Sequence, residues 1–283
     1  MALFRVEHCW NGRTHIYAGR VKFFSWGRRA IKPFKNPKLG VSYSVWDGEE
    51  LLEQSIKQIR SVADYVNVVW QKVSWYGKPC NPDLEDLLLR LKSDGLIDEL
   101  IFFDPDLSIN PSYNEVNKRN IGLRAARRAG CTHFMTMDTD EFYDTEQFQK
   151  AYDDIVLRNL SHTACNILTY ISPDLRKRDP ENFFVSFICK INRKEKFRLS
   201  CLRNGVPVLL DPTRQIPIKN SSRICMLGDI VMHHMKGVRK DIMKKIDNSS
   251  MAQTPNGRQQ LYDEMILKQD EYIRVKNQFR IKV

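Results

Sequence analysis

Thr132-His133-Phe134-Met135-Thr136-Met137-Asp138-Thr139-Asp140-Glu141 is the stretch on which the reading of this chain turns. A short, largely apolar run follows the turn residue Gly130 and stops abruptly at acids, the pattern of a buried strand that ends in a polar site. Two carboxylates at i and i+2 past a strand can converge on one divalent cation, and hard oxygen donors suit Mg²⁺ or Mn²⁺. Ligands of open α/β sheets sit beyond the carboxyl ends of the strands. What precedes the acids therefore decides what they are for.

Working back from them, three strand–helix units can be read. Val41–Trp46 reads as a strand, with Asp47 as a helix N-cap and Glu50 at its third position. The helix that follows aligns Leu52, Ile56, Ile59 and Ala63 on one stripe. Tyr65–Trp70 is a second strand, Asn81-Pro82 opens a helix closed by Gly95, and Leu100–Phe103 is a third strand. A helix from about Asn114 to Ala129 leads into the strand at 132–137, and another follows with Phe148, Ala151, Tyr152, Ile155 and Val156 on one face. Strands separated by helical patterns of this length imply right-handed crossovers and a mainly parallel sheet flanked by helices.

Beyond residue 160 the pattern changes. Segments 164–171, 183–191 and 197–210 read as strands, with Asn204-Gly205 as a hairpin turn, and about 237–279 reads as helical and highly charged. The expected organisation is a basic, aromatic extension at 1–40, one α/β domain at 41–236 (nucleotide half about 41–145, acceptor half about 146–236) and a helical segment at 237–283.

Lys118-Arg119-Asn120-Ile121-Gly122-Leu123, followed by Ala129 through Glu141, resembles glycosyltransferase family 2 and its relatives with the GT-A fold. In that family an Arg-Asn-x-Gly helix precedes a strand ending in D-x-D. The strand ending at Trp46, with Asp47-Gly48-Glu49-Glu50, is similar to the family's opening strand and turn. The resemblance covers about 41–145 and implies a metal-dependent transfer of sugar from a nucleotide diphosphate carrier to a glycan or lipid-linked acceptor, in synthesis of surface polysaccharide or lipopolysaccharide at the cytoplasmic face of a membrane. It places Trp46, Asp47, Arg119, Asn120 and Asp138 against the donor, and Asp138 and Asp140 on Mn²⁺ or Mg²⁺. One position departs from the family: after the second strand, where a carboxylate meets the base, the sequence reads Gln71-Lys72-Val73-Ser74-Trp75.

A second constellation closes the expected site. Met232-His233-His234-Met235-Lys236-Gly237-Val238-Arg239 sets two histidines at the end of an apolar run, before a basic loop. A neutral imidazole is a competent third metal ligand. The two histidines point to opposite faces of a continuing strand; the resemblance to GT-A enzymes, in which a late histidine precedes a basic loop, implies His234, five residues before Arg239, slightly more than His233. Lys236 and Arg239 supply a point charge and a fork for a diphosphate. No base declares itself for the acceptor hydroxyl; Asp174, Asp179, Glu181 and Asp211 are the carboxylates in acceptor-side loops.

Composition narrows the classes. No apolar run reaches the 18 residues of a membrane span. Seven scattered cysteines with no C-x-x-C pair fit a reduced, cytoplasmic protein. Of the net charge of +11, nine Lys or Arg against one acid fall in residues 1–40, interleaved with Trp10, Tyr17, Phe23, Phe24 and Trp26. Such a mixture suits peripheral contact with anionic lipid, and no nucleic-acid-binding motif accompanies it. Three rivals use the same aspartates or fold. A haloacid dehalogenase-type phosphatase wants Thr or Val where Phe142 stands. A nucleotidyltransferase wants a glycine-rich loop after the first strand. A non-catalytic carbohydrate-binding protein has no need of both aspartates and the late histidine.

Overall fold

The computed structural model describes residues 35–191, 195–199, 210–216, 224–249, 251–267 and 271–282, together with the backbone of five further strands. Three of these, β1 (Phe4–His8), β2 (Thr14–Ala18) and β3 (Val21–Trp26), form an antiparallel sheet. The side chains of residues 1–34 lie outside the described residues, and with them most of the basic and aromatic set expected to touch lipid.

The strand–helix units then appear as read. β4 (Leu39–Val45), α1 (Glu49–Ile59), β5 (Tyr65–Trp70), α2 (Leu84–Ser93), β6 (Glu99–Phe102), α3 (Pro111–Arg128) and β7 (His133–Asp138) follow in order. β4 is parallel to both β5 and β7, and β5 to β6. β4 and β7 are almost entirely buried, so both faces of these strands must be apolar, and Val41, Tyr43, Val45, Phe134, Met135 and Met137 supply that. Leu52, Ile56 and Ile59 of α1 pack on the same core, each burial contributing roughly 1.5–3 kcal/mol.

The cap of α1 differs from expectation. Gly48, with φ 76°, is the N-cap, and no side chain caps this helix; Asp47 is drawn instead to Lys244. α3 begins three residues earlier than its apolar periodicity indicates, because Asn110 caps it through Ser112 N and Pro111 needs no hydrogen bond in the first turn. Gly122 lets α3 press against the sheet. A Cβ there would fall 1.9 Å from Ser42 Oγ, and the Gly122 carbonyl accepts from Asn67 Nδ2.

After β8 (Glu141–Phe142) and α4 (Thr145–Arg158) come β9 (His162–Ser172), β10 (Leu175–Lys177), β11 (Val185–Lys190), the short pair β12 (Leu202–Arg203) and β13 (Val206–Pro207), and β14 (Cys225–His234). β12 and β13 pair across positions 204 and 205, which lie outside the described residues. β11 joins β7 antiparallel, so the sheet is parallel in its first half and mixed in its second.

The stretch from 237 is far less helical than its charge pattern indicates. It holds the short helices α5 (Ile242–Asp247) and α6 (Gly257–Tyr262), then β15 (Tyr272–Arg274), which extends the main sheet beside β10. Asn256, at φ 60°, interrupts the helical path before α6 begins at Gly257, and Phe279 and Ile281 bury into a cluster with Phe142 and Met235. The tail is thereby packed into the domain.

Candidate functional site

The chain leaves β4 for β5 and β6 on one side, then returns to place β7 on the other. Helices diverge at such a switch point, and a crevice opens beyond the strand ends. A cleft of about 260 Å³ lies there, with Trp46 and Asp47 following β4, Asp138 ending β7, Thr139 and Asp140 next to it, and Arg239 and Lys245 arriving from the C-terminal part.

The acidic loop is clamped on both sides. Thr139 Oγ1 donates to the Asp47 carbonyl at 2.9 Å, Ser55 Oγ to the Glu141 carbonyl at 2.6 Å, and Met235 N to the Asp140 carbonyl at 2.7 Å. Its carboxylates therefore stand in set directions. Asp138 faces two buried arginines: Arg214 Nη2 lies 2.6 Å from Oδ2, and Arg119 Nη1 lies 3.4 Å from Oδ1. Burial alone would raise Asp138, but the Arg119 and Arg214 guanidiniums hold it down to about 2. Arg214 also grips Glu141, whose carboxyl burial nevertheless keeps above its ordinary value.

Asp140 is 1% exposed. Its Oδ2 receives Arg239 Nη2 at 2.5 Å and Lys245 Nζ at 3.0 Å, with His234 Nε2 at 3.6 Å. Against the cost of burial, Lys245 and Arg239 hold this carboxyl well below the usual range. Arg239 is itself buried, seated over Gly48, where any Cβ would overlap Nη1; its Nε and Nη1 have no hydrogen-bond partner among the described residues. Buried donors are rarely left unpaired in a finished structure. Trp46 Nε1, on the same cleft, is in the same condition.

The sequence expectations sort accordingly. Trp46, Asp47, Asp138, Asp140, His234 and Arg239 come together. His233 turns the other way, with Nδ1 2.9 Å from the Tyr170 hydroxyl and its ring against Phe279. Lys236 is not at the cleft; it pairs with Glu264 at 3.0 Å. Asn120 points to the opposite side of α3, where it exchanges two hydrogen bonds with the Phe197 backbone. Arg119 is engaged by Thr136, Glu115 and Asp138, so it orients the carboxylate. Asp174 pairs with Arg274, Asp211 caps the turn at Pro212–Arg214, and Asp179 and Glu181 line a separate cavity beside β10.

As arranged, the side chains do not fit a resident divalent ion. Among the described residues no three His, Cys, Asp or Glu side chains come together as a metal-holding group. The Asp140 oxygen nearest His234 is already taken by two cations. A dication on that oxygen would stand roughly 4 Å from both, a repulsion of several kcal/mol each at protein-like screening.

Several residues of the site were given no role by the sequence. Lys118, buried beside Arg119, donates from Nζ to the Val45 carbonyl and to Gln71 Oε1, and lies 5.4 Å from the Trp75 ring centre. Burial pushes this ammonium down to about 7. Gln71, Ser74 and Trp75 thus line the cleft where the family's acid was missing. Arg214 and Lys245 come from more than 70 and 100 residues beyond the acids they hold, and nothing in their local sequence marks them.

No family model matches this chain, and no curated protein does. Among solved structures, S. aureus TarS superposes with a TM-score of 0.43 at 12% identity, covering 81% of this chain and 43% of that one. This chain therefore spans under half the length of that structure. The TarS 1-349 fragment in complex with UDP gives 0.38 at 14% identity, and in complex with UDP-GlcNAc 0.38 at 12%; each covers 81% of this chain and about 70% of its own. Likeness this distant transfers neither a ligand nor a reaction, and the geometry above carries the argument alone.

Proposed function

We propose that this protein is a glycosyltransferase that takes its sugar from a nucleotide diphosphate donor bound in the cleft between β4 and β7. One observation carries the reading: a buried guanidinium with unpaired donors stands beside two oriented carboxylates at the switch point of a parallel sheet. A diphosphate supplies the acceptor oxygens that Arg239 lacks. Trp46 and Trp75 offer aromatic surface for the base, and the Trp46 indole N–H a further donor.

In the transfer, the acceptor hydroxyl oxygen bonds to the anomeric carbon and the bond from that carbon to the diphosphate oxygen breaks. The electron pair leaves on the diphosphate and the hydroxyl proton passes to solvent. Cationic side chains fixed where this charge develops lower the barrier because they need no reorganisation at that moment. The acceptor we propose is a glycan or lipid-linked glycan in surface polysaccharide synthesis, in keeping with the basic, aromatic residues 1–40. Among the described residues no helix is long and apolar enough to cross a membrane.

A panel of nucleotide sugars incubated with the protein tests the reading. Release of nucleoside diphosphate with loss of donor is expected, reduced about a hundredfold or more in Arg239→Met, in line with loss of a preorganised charge-stabilising donor. Release of inorganic phosphate or pyrophosphate instead identifies a phosphatase or nucleotidyltransferase and ends the proposal.

A further inference from the structure

Lys244 and Lys245 sit side by side on α5, and both ammonium groups reach the donor cleft. Lys245 Nζ is 3.0 Å from Asp140 Oδ2. Lys244 Nζ is 3.0 Å from Asp47 Oδ1 and 5.0 Å from the Trp46 ring centre. The arm that carries them is tied down at its start, where Asp241 accepts from Lys244 N and Lys240 N donates to Glu50. Arg239 stands just ahead of this arm with two donors unspent.

At Asp140 Oδ2 one carboxylate oxygen thus meets two cationic side chains, and Asp47 and Glu50 are further acids facing Arg239. On the other side Arg119 and Arg214 are shared among Asp138, Glu115, Glu141 and Asp211, so their charge is already spent. An oxyanion entering beside Asp140 meets Arg239 and Lys245 directly, and a metal dication on the same carboxylate oxygen is repelled by both.

We propose that Arg239 and Lys245 are the diphosphate-binding groups of this site and do the work of the metal ion that the D-x-D resemblance implies, so that the protein binds a nucleoside diphosphate with no divalent cation. This rests on the nucleotide-sugar reading. Arg239 serves as the fork, giving Nε and Nη1 to phosphate oxygens, and Lys245 as the point charge that follows the diphosphate. Asp140 is the counter-charge that holds both in place. Gly48 belongs to the same device, since only a residue without Cβ leaves room for the Arg239 guanidinium.

Calorimetric titration of the full chain with uridine, guanosine and adenosine diphosphates tests this, first in excess chelator and then in Mn²⁺. At least one of them is expected to bind in chelator, with a Kd that Mn²⁺ alters by less than about threefold. Lys245→Met is expected to weaken binding in chelator about tenfold, the scale of one charge-assisted contact, and Lys245→Arg to retain it. Wild-type protein is also expected to leave the paramagnetic resonance signal of free Mn²⁺ undiminished.

Binding that appears only with Mn²⁺, depletion of free Mn²⁺ by the wild-type protein, or an unchanged Kd in folded Lys245→Met each overturns the inference and leaves the donor reading standing. Failure of all three nucleotides under both conditions overturns the donor reading and the inference with it.

Discussion

The two aspartates of one three-residue motif are held by different parts of the molecule. Asp138 is gripped by Arg119 from α3 and by Arg214, both side chains at most 4% exposed and braced by further acids, Glu115, Glu141 and Asp211. Asp140 is gripped by Arg239 and Lys245, from the arm after β14, and Lys245 is 32% exposed. The first arrangement ties Asp138 to arginines of the core but leaves the Asp138 side chain 36% exposed at the cleft, whereas the Asp140 side chain is 2% exposed. The second faces the cleft, retains unpaired donors, and has capacity left for a ligand.

The largest effect that would sharpen this contrast is on stability. Arg214→Ala removes the guanidinium that pairs with buried Glu141 and one of the two on Asp138, and is expected to destabilise the fold by about 3–5 kcal/mol in denaturant titration. Asp138 lies below its ordinary range, so its contribution is present above the usual carboxylate pKa and is lost as pH falls towards about 2. The stability gap between wild type and variant should narrow accordingly in acid. A cost under about 1 kcal/mol would show that Arg214 does not brace the acids at the end of β7.

Lys118 gives an effect of intermediate size. Its folded pKa of about 7 lies below the ordinary lysine value of 10.5, so the unfolded chain binds the extra proton between those limits. Stability must then rise with pH from about 7 towards 10.5, the opposite of a lysine that gains a partner on folding. Subtracting the Lys118→Met stability curve from that of the wild type is expected to leave this rise, amounting to a few kcal/mol. A flat difference would show the ammonium to be solvated, and the base-side wall of the cleft to be open.

The smallest stability effect is expected where the cleft is most exposed. Lys244→Met breaks a partly exposed pair with Asp47 and a ring contact with Trp46, together worth under about 1 kcal/mol. The thermal midpoint should scarcely move. A loss comparable to that of Arg214→Ala would make α5 a core element and erase the distinction between the two halves of the motif.

Much of the parallel half was legible from residue types. Periodic Leu and Ile on α1 and α2, apolar runs at 41–45 and 133–137, and terminating Gly95 and Gly130 are local signals, and each element formed within a few residues of its expected bounds. The segment after 237 was not legible. Its charges spell a solvated helix, yet they are spent on partners far away in sequence: Lys236 and Lys177 on Glu264, Lys244 on Asp47, Lys245 on Asp140. Asn120 misled for a related reason. Its motif position is right, but a helix turns by about 100° per residue, and the residue beside Arg119 faces the Phe197 loop.

Sequence alone determined the order of strands and helices and the position of the acids past a buried strand, because backbone propensity and hydrophobic period are properties of neighbours along the chain. Which cations would meet those acids was decided only when the sheet closed and the tail packed back over β4 and β7. Pairing across about a hundred residues depends on where whole elements come to rest, and no local pattern records it.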